Sequence, residues 1–110
     1  MRIEDKKTGH ATLVSVEGRL DASTWQLFHD HLMKLFGSGE KNFVLDCSGI
    51  NYISSLGIRA LLLIARKANE VSGKVVLCAI PQDVQKIFDI SGIMTLFPIT
   101  STREEALEKL

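Results

Sequence analysis

The stretch Asp46-Cys47-Ser48-Gly49-Ile50-Asn51-Tyr52-Ile53-Ser54-Ser55-Leu56-Gly57-Ile58-Arg59-Ala60-Leu61-Leu62 carries the chain from a β-strand into an α-helix, and the other elements can be read outward from it. Just upstream, Asn42-Phe43-Val44-Leu45-Asp46-Cys47 is short and apolar enough for a strand buried on both faces. Ser48-Gly49 then reads as a turn. From Leu56 to Val71 the apolar residues recur at helical steps, and Ser72-Gly73 closes that helix. Lys74 to Ile80 is the next strand; Pro81 stops it while suiting the start of another helix, carried by Val84, Ile87 and Phe88 to the Gly92 stop.

The flanks repeat the alternation. Met1–Lys7 is an edge-strand candidate, Lys7-Thr8-Gly9-His10 a turn, and Ala11–Glu17 a strand that Gly18 ends. Asp21, Ser23 and Thr24 are helix-starting residues. Behind them Trp25, Phe28, Leu32, Leu35 and Phe36 form an amphipathic helix, closed by Gly37-Ser38-Gly39. Near the far end, Phe97-Pro98-Ile99 is a short edge strand, and Thr102 with Glu105 offers a capping box for a terminal helix that Ser101 opens. Trp25, Ile93, Met94, Leu96 and Phe97 are assigned to the core. This order predicts an α/β fold: a mixed sheet of roughly four to five strands, parallel at the strand–helix–strand crossovers, packed against about four helices. The loops Gly18–Thr24, Ser48–Ser55 and Ile80–Asp83 should meet at the carboxyl ends of the parallel strands, where ligands and partners dock.

Composition narrows the function. A chain of 110 residues has room for one domain, and 45% hydrophobic with 24% charged residues is enough apolar surface for a core. Thirteen basic and thirteen acidic side chains cancel, which removes the electrostatic footprint of a nucleic-acid binder. The longest apolar run, Ala60–Ala65, is far short of the ~20 residues that span a bilayer, and Met1–Lys7 is no export signal. A cytoplasmic protein is expected, with Cys47 and Cys78 as buried thiols.

Chemistry built on side chains finds little to use. His29 and His31 are two apart on a helix and cannot chelate one ion, and His10 lies in a turn without an acidic or cysteine companion, so no metal site is expected. No glycine-rich phosphate cradle is present, so no cofactor is expected. Ser55 is not in a GxSxG elbow, and no histidine follows it to act as base. Asp46 lacks the further carboxylates that would hold a divalent ion beside a phospho-accepting aspartate; the simpler role is a hydrogen bond to Ser48-Gly49. An enzyme is therefore not expected.

Ser54-Ser55 remains. As an N-cap, one hydroxyl would accept from a free backbone N–H of the central helix. A phosphate placed here would also meet those N–H groups and the positive end of the helix dipole, so the two roles are compatible. On the same helix Ser55, Arg59, Leu62, Leu63, Arg66 and Glu70 share one stripe, with Gly57, Ile58, Leu61, Ile64, Ala65 and Ala68 opposite. Leucines among charges suit either a solvated face or a docking face.

The segment Asp46–Leu62 resembles the sulphate-transporter and anti-sigma-factor-antagonist (STAS) family, and the resemblance continues through Val16-Glu17-Gly18-Arg19-Leu20-Asp21, Gly73-Lys74-Val75-Val76-Leu77, Phe88-Asp89-Ile90-Ser91-Gly92 and Glu105-Ala106-Leu107. It implies a stand-alone anti-sigma factor antagonist that binds an anti-sigma factor serine kinase, frees a sigma factor, and is released when phosphorylated at the start of the central helix. The acceptor would be Ser55, with Ser54 the alternative, since Ser54 stands where phosphorylated members often carry Asp. The implied partner surface comprises Asp21, Tyr52, Ile53, Ser54, Ser55, Leu56, Arg59, Leu63 and Arg66. The other function the resemblance allows is a non-phosphorylated STAS subunit of an ABC-type transporter or a signalling scaffold.

Overall fold

The computed structural model describes residues 1–110. Five strands lie in the order β1-β2-β3-β4-β5: β1 (Arg2–Thr8), β2 (Ala11–Leu20), β3 (Asn42–Ile53), β4 (Lys74–Cys78) and β5 (Ile99–Thr100). The β1–β2 hairpin is antiparallel and every later pairing is parallel. The connecting helices are α1 (Trp25–Gly37), α2 (Ser55–Glu70) and α3 (Gln82–Ser91), followed by a 3₁₀ turn at Ile93–Thr95 and, after β5, by α4 (Arg103–Glu108).

Strand alternation sorts the sheet's two faces. Phe43, Leu45 and Cys47 of β3 pack with Phe28 and Leu32 of α1, Leu61 and Ile64 of α2, and Val84 and Phe88 of α3 in the main core. Their neighbours Val44 and, on β4, Val76 and Cys78 belong to a smaller cluster that Ala106 of α4 covers. Three helices thus close one face and one short helix closes part of the other. The capping box at α4 is half made: the Thr102 hydroxyl accepts from the Glu105 amide at 3.1 Å, and the Glu105 carboxylate turns to that hydroxyl rather than to the Thr102 amide.

Two expected turns are instead strand. β2 does not end at Gly18, and β3 does not turn at Ser48-Gly49 but continues to Ile53. The register explains both. Ser15 faces Asp46 and Glu17 faces Gly49; Gly18 faces Ile50 and Arg19 faces Tyr52, so β3 carries one extra residue at each step. Such bulges bend a strand without ending it. Gly18 supplies a positive φ of 108° at the bend. At Gly49 a Cβ would sit 2.6 Å from Glu17 Cγ and 2.8 Å from the Val16 carbonyl oxygen, so glycine is needed for the two strands to approach. At the other edge β4 stops at Cys78, because Ala79 turns the chain with φ 56°. β5 begins at Ile99 rather than Phe97; Phe97 is buried in the core, and the Pro98 carbonyl accepts from the Leu77 amide at 3.0 Å. Ile93 and Phe97 are core and Met94 and Trp25 pack against it, but Leu96 is 45% exposed.

Candidate functional site

The carboxyl ends of β2 and β3 and the start of α2 meet through the backbone. Leu20 pairs with Ile53, and the Ser54 amide donates to the Leu20 carbonyl at 3.0 Å. At Gly57 a Cβ would lie 2.6 Å from that same carbonyl oxygen and 2.8 Å from Ile53 Cγ1, so α2 can seat on the strand ends only because this position has no side chain. Ser54 is extended (φ −105°, ψ 177°) and Ser55 is the first helical residue. The helix then presents its free first-turn amides without a side-chain cap and without an acidic residue in the first turn.

The two serines divide sharply. Ser55 is exposed. The Ser54 hydroxyl is buried and has no hydrogen-bond partner, so the expected N-cap bond is not made by either serine. The Ser54 oxygen is thus shielded from solvent, whereas Ser55 is open to it.

Beside this helix start lies a rigid polar rim. Asp21 Oδ1 accepts from the Ser23 amide at 3.0 Å and the Ser23 hydroxyl at 2.8 Å, and Oδ2 accepts from Arg19 Nε at 3.1 Å. The Ser23 hydroxyl and amide outweigh desolvation and, with smaller help from Arg19 and Thr24, bring the Asp21 carboxyl down to about 2. Thr24 Oγ1 locks the turn, donating to the Arg19 carbonyl at 2.6 Å and accepting from the Asp21 amide at 3.0 Å. Arg19 also stacks its guanidinium over the Tyr52 ring, 4.1 Å from the centroid, which ties the end of β2 to the end of β3. Arg19 lies within the Gly18–Thr24 segment expected at the strand ends, but it was not named among the partner-surface residues. Its sequence signal was hidden because Gly18 read as a strand end, whereas the bulge keeps Arg19 in the sheet opposite Tyr52.

Asp21, Tyr52, Ser54, Ser55 and Leu56 therefore gather at one end of the sheet, with Arg59 on the next turn of α2 and Leu63 and Arg66 farther along its outer side. Ile53 is 3% exposed and belongs to the core, so it supports this surface from beneath and cannot itself be touched by a partner. Arg59 and Arg66 form no ion pair within the chain.

Asp46 is placed elsewhere, on the face that α4 covers. Its Oδ1 accepts from the Ser48 amide at 2.9 Å, as expected for a carboxylate beside Ser48-Gly49, and its Oδ2 binds Arg103 Nε at 2.6 Å. Burial pushes this carboxyl up, but the Ser48 hydrogen bonds and the Arg103 guanidinium outweigh burial and hold it below its usual value. Both cysteines are buried, and burial raises both thiols, Cys78 to about 11. His29 pairs with Asp30 and His31 with Asp5, and neither is hydrogen-bonded to Ser55. The assembled chemistry is a protruding hydroxyl at a positively polarised helix end, flanked by a fixed acidic and cationic rim.

Comparison with known proteins bears on the family and the fold. The STAS domain family model matches residues 2–106. A Bordetella bronchiseptica protein, BtrV, which carries the name of an anti-sigma factor antagonist, is 31% identical over 106 residues, covering 96% of this chain and 91% of its own. Among solved structures, a Thermotoga maritima protein also named as an anti-sigma factor antagonist has a TM-score of 0.92 at 17% identity, over 97% of this chain and 92% of its own. The phosphorylated form of the Bacillus cell fate determinant SpoIIAA has a TM-score of 0.74 at 18% identity, over 98% of each chain. These two share the fold: a five-stranded mixed sheet with four helices.

Proposed function

The chain belongs to the STAS domain family, and from that premise we propose that it is an anti-sigma factor antagonist: a non-enzymatic binding module that captures a kinase-type anti-sigma factor, frees a sigma factor, and is switched off when the captured kinase phosphorylates Ser55. The single observation that carries this reading is the contrast at the start of α2, an exposed Ser55 beside a buried Ser54 hydroxyl. The name carried by the BtrV relative supports the antagonist role.

The switch follows from electrostatics. The unmodified Ser55 hydroxyl is small and neutral, so a partner can close over the rim of Asp21 and Tyr52 and the first turns of α2. A phosphate there adds about −1.5 to −2 charges, whose solvation is lost when a partner covers them. The free amides of α2 hold that charge in the isolated protein, so the fold survives while the interface does not. A loss of ~3 kcal/mol weakens binding more than a hundredfold.

Intact-mass measurement with peptide mapping of the protein from its own cells tests the acceptor directly: one added phosphate on Ser55 is expected. With the cognate kinase in hand, Ser55→Ala should bind it constitutively and Ser55→Asp weakly. Equal affinity of Ser55→Asp and wild type would remove the switch. An unmodified mass under every growth condition would favour the transporter or scaffold subunit.

A further inference from the structure

The chain after β5 is fastened to one side of the sheet only. No apolar residue beyond Ile99 lies in or against the main core of 21 buried residues, which α1, α2 and α3 close. Instead α4 closes the separate cluster on the other face, where Val44, Val76 and Cys78 are buried with Ala106, and Leu13, Ala79, Leu107 and Leu110 are half-buried. The two clusters share no residue, so one can open while the other stays packed. Ser15, Glu17 and Ser48, farther along that same face, are polar, which confines the apolar strip to what α4 covers.

Polar contacts fasten α4 at both ends. At its start Arg103 Nε binds Asp46 Oδ2 at 2.6 Å and Nη2 donates to Ser15 Oγ at 3.2 Å; just past its end the Lys109 carbonyl accepts from the Lys74 ammonium. The Arg103 side chain is 45% exposed, so water reaches this clasp and can replace it. A hinge precedes the helix. Phe97 is held in the main core and the Thr100 carbonyl accepts from the Ala79 amide at 3.2 Å, whereas Ser101 and Thr102 are exposed and lie in neither strand nor helix. Rotation about those two residues carries α4 off the sheet and leaves β5 in place. We propose that α4 is a releasable strap: it swings away as a unit while the sheet and the main core stay folded, and the released form bares an apolar strip of Leu13, Val44, Val76 and Cys78. The Arg103 clasp on Asp46 sets the balance between the two forms. This device goes beyond the proposed function and stands whether or not Ser55 is phosphorylated.

The chain carries its own reporters, because both cysteines are free thiols, Cys78 under α4 and Cys47 in the main core. The test is alkylation of the native protein by iodoacetamide across low urea concentrations, with the initial rate at each cysteine read by peptide mapping and scaled to its rate in the urea-unfolded chain. Cys78 is expected to react at least about a hundredfold faster than Cys47, and with a weaker urea dependence, since releasing α4 exposes far less surface than unfolding the chain. Ile64→Val, which loosens only the main core, should speed Cys47 by roughly two- to tenfold and leave Cys78 unchanged. Arg103→Ala should speed Cys78 at least about fivefold. Equal rates with equal urea dependence, or an Ile64→Val variant that speeds both cysteines alike, overturns the proposal, since α4 would then leave only with the whole fold. So does a Cys78 that stays unreactive until the urea transition, or one that reacts while the α4 amides remain protected from exchange. An unchanged Cys78 rate in Arg103→Ala overturns the clasp.

Discussion

The Ser54 hydroxyl is a buried polar atom with nothing to bond, at a position where a serine ordinarily stabilises its helix. Replacing an N-cap serine by alanine usually costs about 0.5–2 kcal/mol. Here the hydroxyl makes no cap bond, and its removal relieves an unsatisfied group. Ser54→Ala should therefore leave the denaturation midpoint unchanged or raise it, and a loss near 1 kcal/mol would show that the hydroxyl caps α2 after all. At Asp21 the folded carboxyl is the more acidic one, about 2 against about 3.9 in an unfolded chain. Its contribution to stability is then complete above about pH 4 and is lost as pH falls through about 2. Denaturation midpoints of wild type and Asp21→Asn should differ near neutrality and converge at the acid end of that window.

At the scale of elements, α2 is positioned by the absence of a side chain at Gly57. Gly57→Ala would drive a methyl group into the Leu20 carbonyl and Ile53, forcing the helix off the strand ends that form the site. A cost of about 1–3 kcal/mol is expected in equilibrium unfolding, together with faster amide exchange in the first turns of α2. On the opposite face, α4 is six residues long and fully buries only Ala106, with Leu107 and Leu110 half-buried against the same small cluster, and the Arg103–Asp46 pair adds to that docking. Arg103→Ala should cost about 1–3 kcal/mol and raise exchange across α4, because Asp46 stays buried with one partner fewer. Unchanged exchange in α4 would mean that the apolar contacts of Ala106, Leu107 and Leu110 suffice.

For the whole molecule, the switch is expected to act on the interface and leave the fold alone. Ser55 is exposed and its helix end favours negative charge, so Ser55→Asp should change stability by no more than about 0.5 kcal/mol while weakening partner binding. A large loss of stability in that variant would turn the switch into one of unfolding. What the sequence determined by itself was the succession of elements and most of the buried side of α1 and α2, whereas Ile87, read in the apolar row of α3, is 40% exposed. The periodic row of Trp25, Phe28, Leu32 and Phe36 and the inner stripe of Gly57, Leu61, Ile64 and Ala68 are written in local spacing, because a helix that buries one side must repeat at its own pitch. The Ser54-Ser55 pair at the head of α2 was legible for the same reason. The tertiary structure alone decided that Gly18 and Ser48-Gly49 are bulges rather than turns, that Arg19 lies over Tyr52, that Leu96 faces outward, that Asp46 meets an arginine 57 positions away, and that the Ser54 hydroxyl faces inward while Ser55 stays open. Propensity acts over a few neighbouring residues, whereas strand register and the burial of a single hydroxyl are set by atoms that only the folded chain brings near.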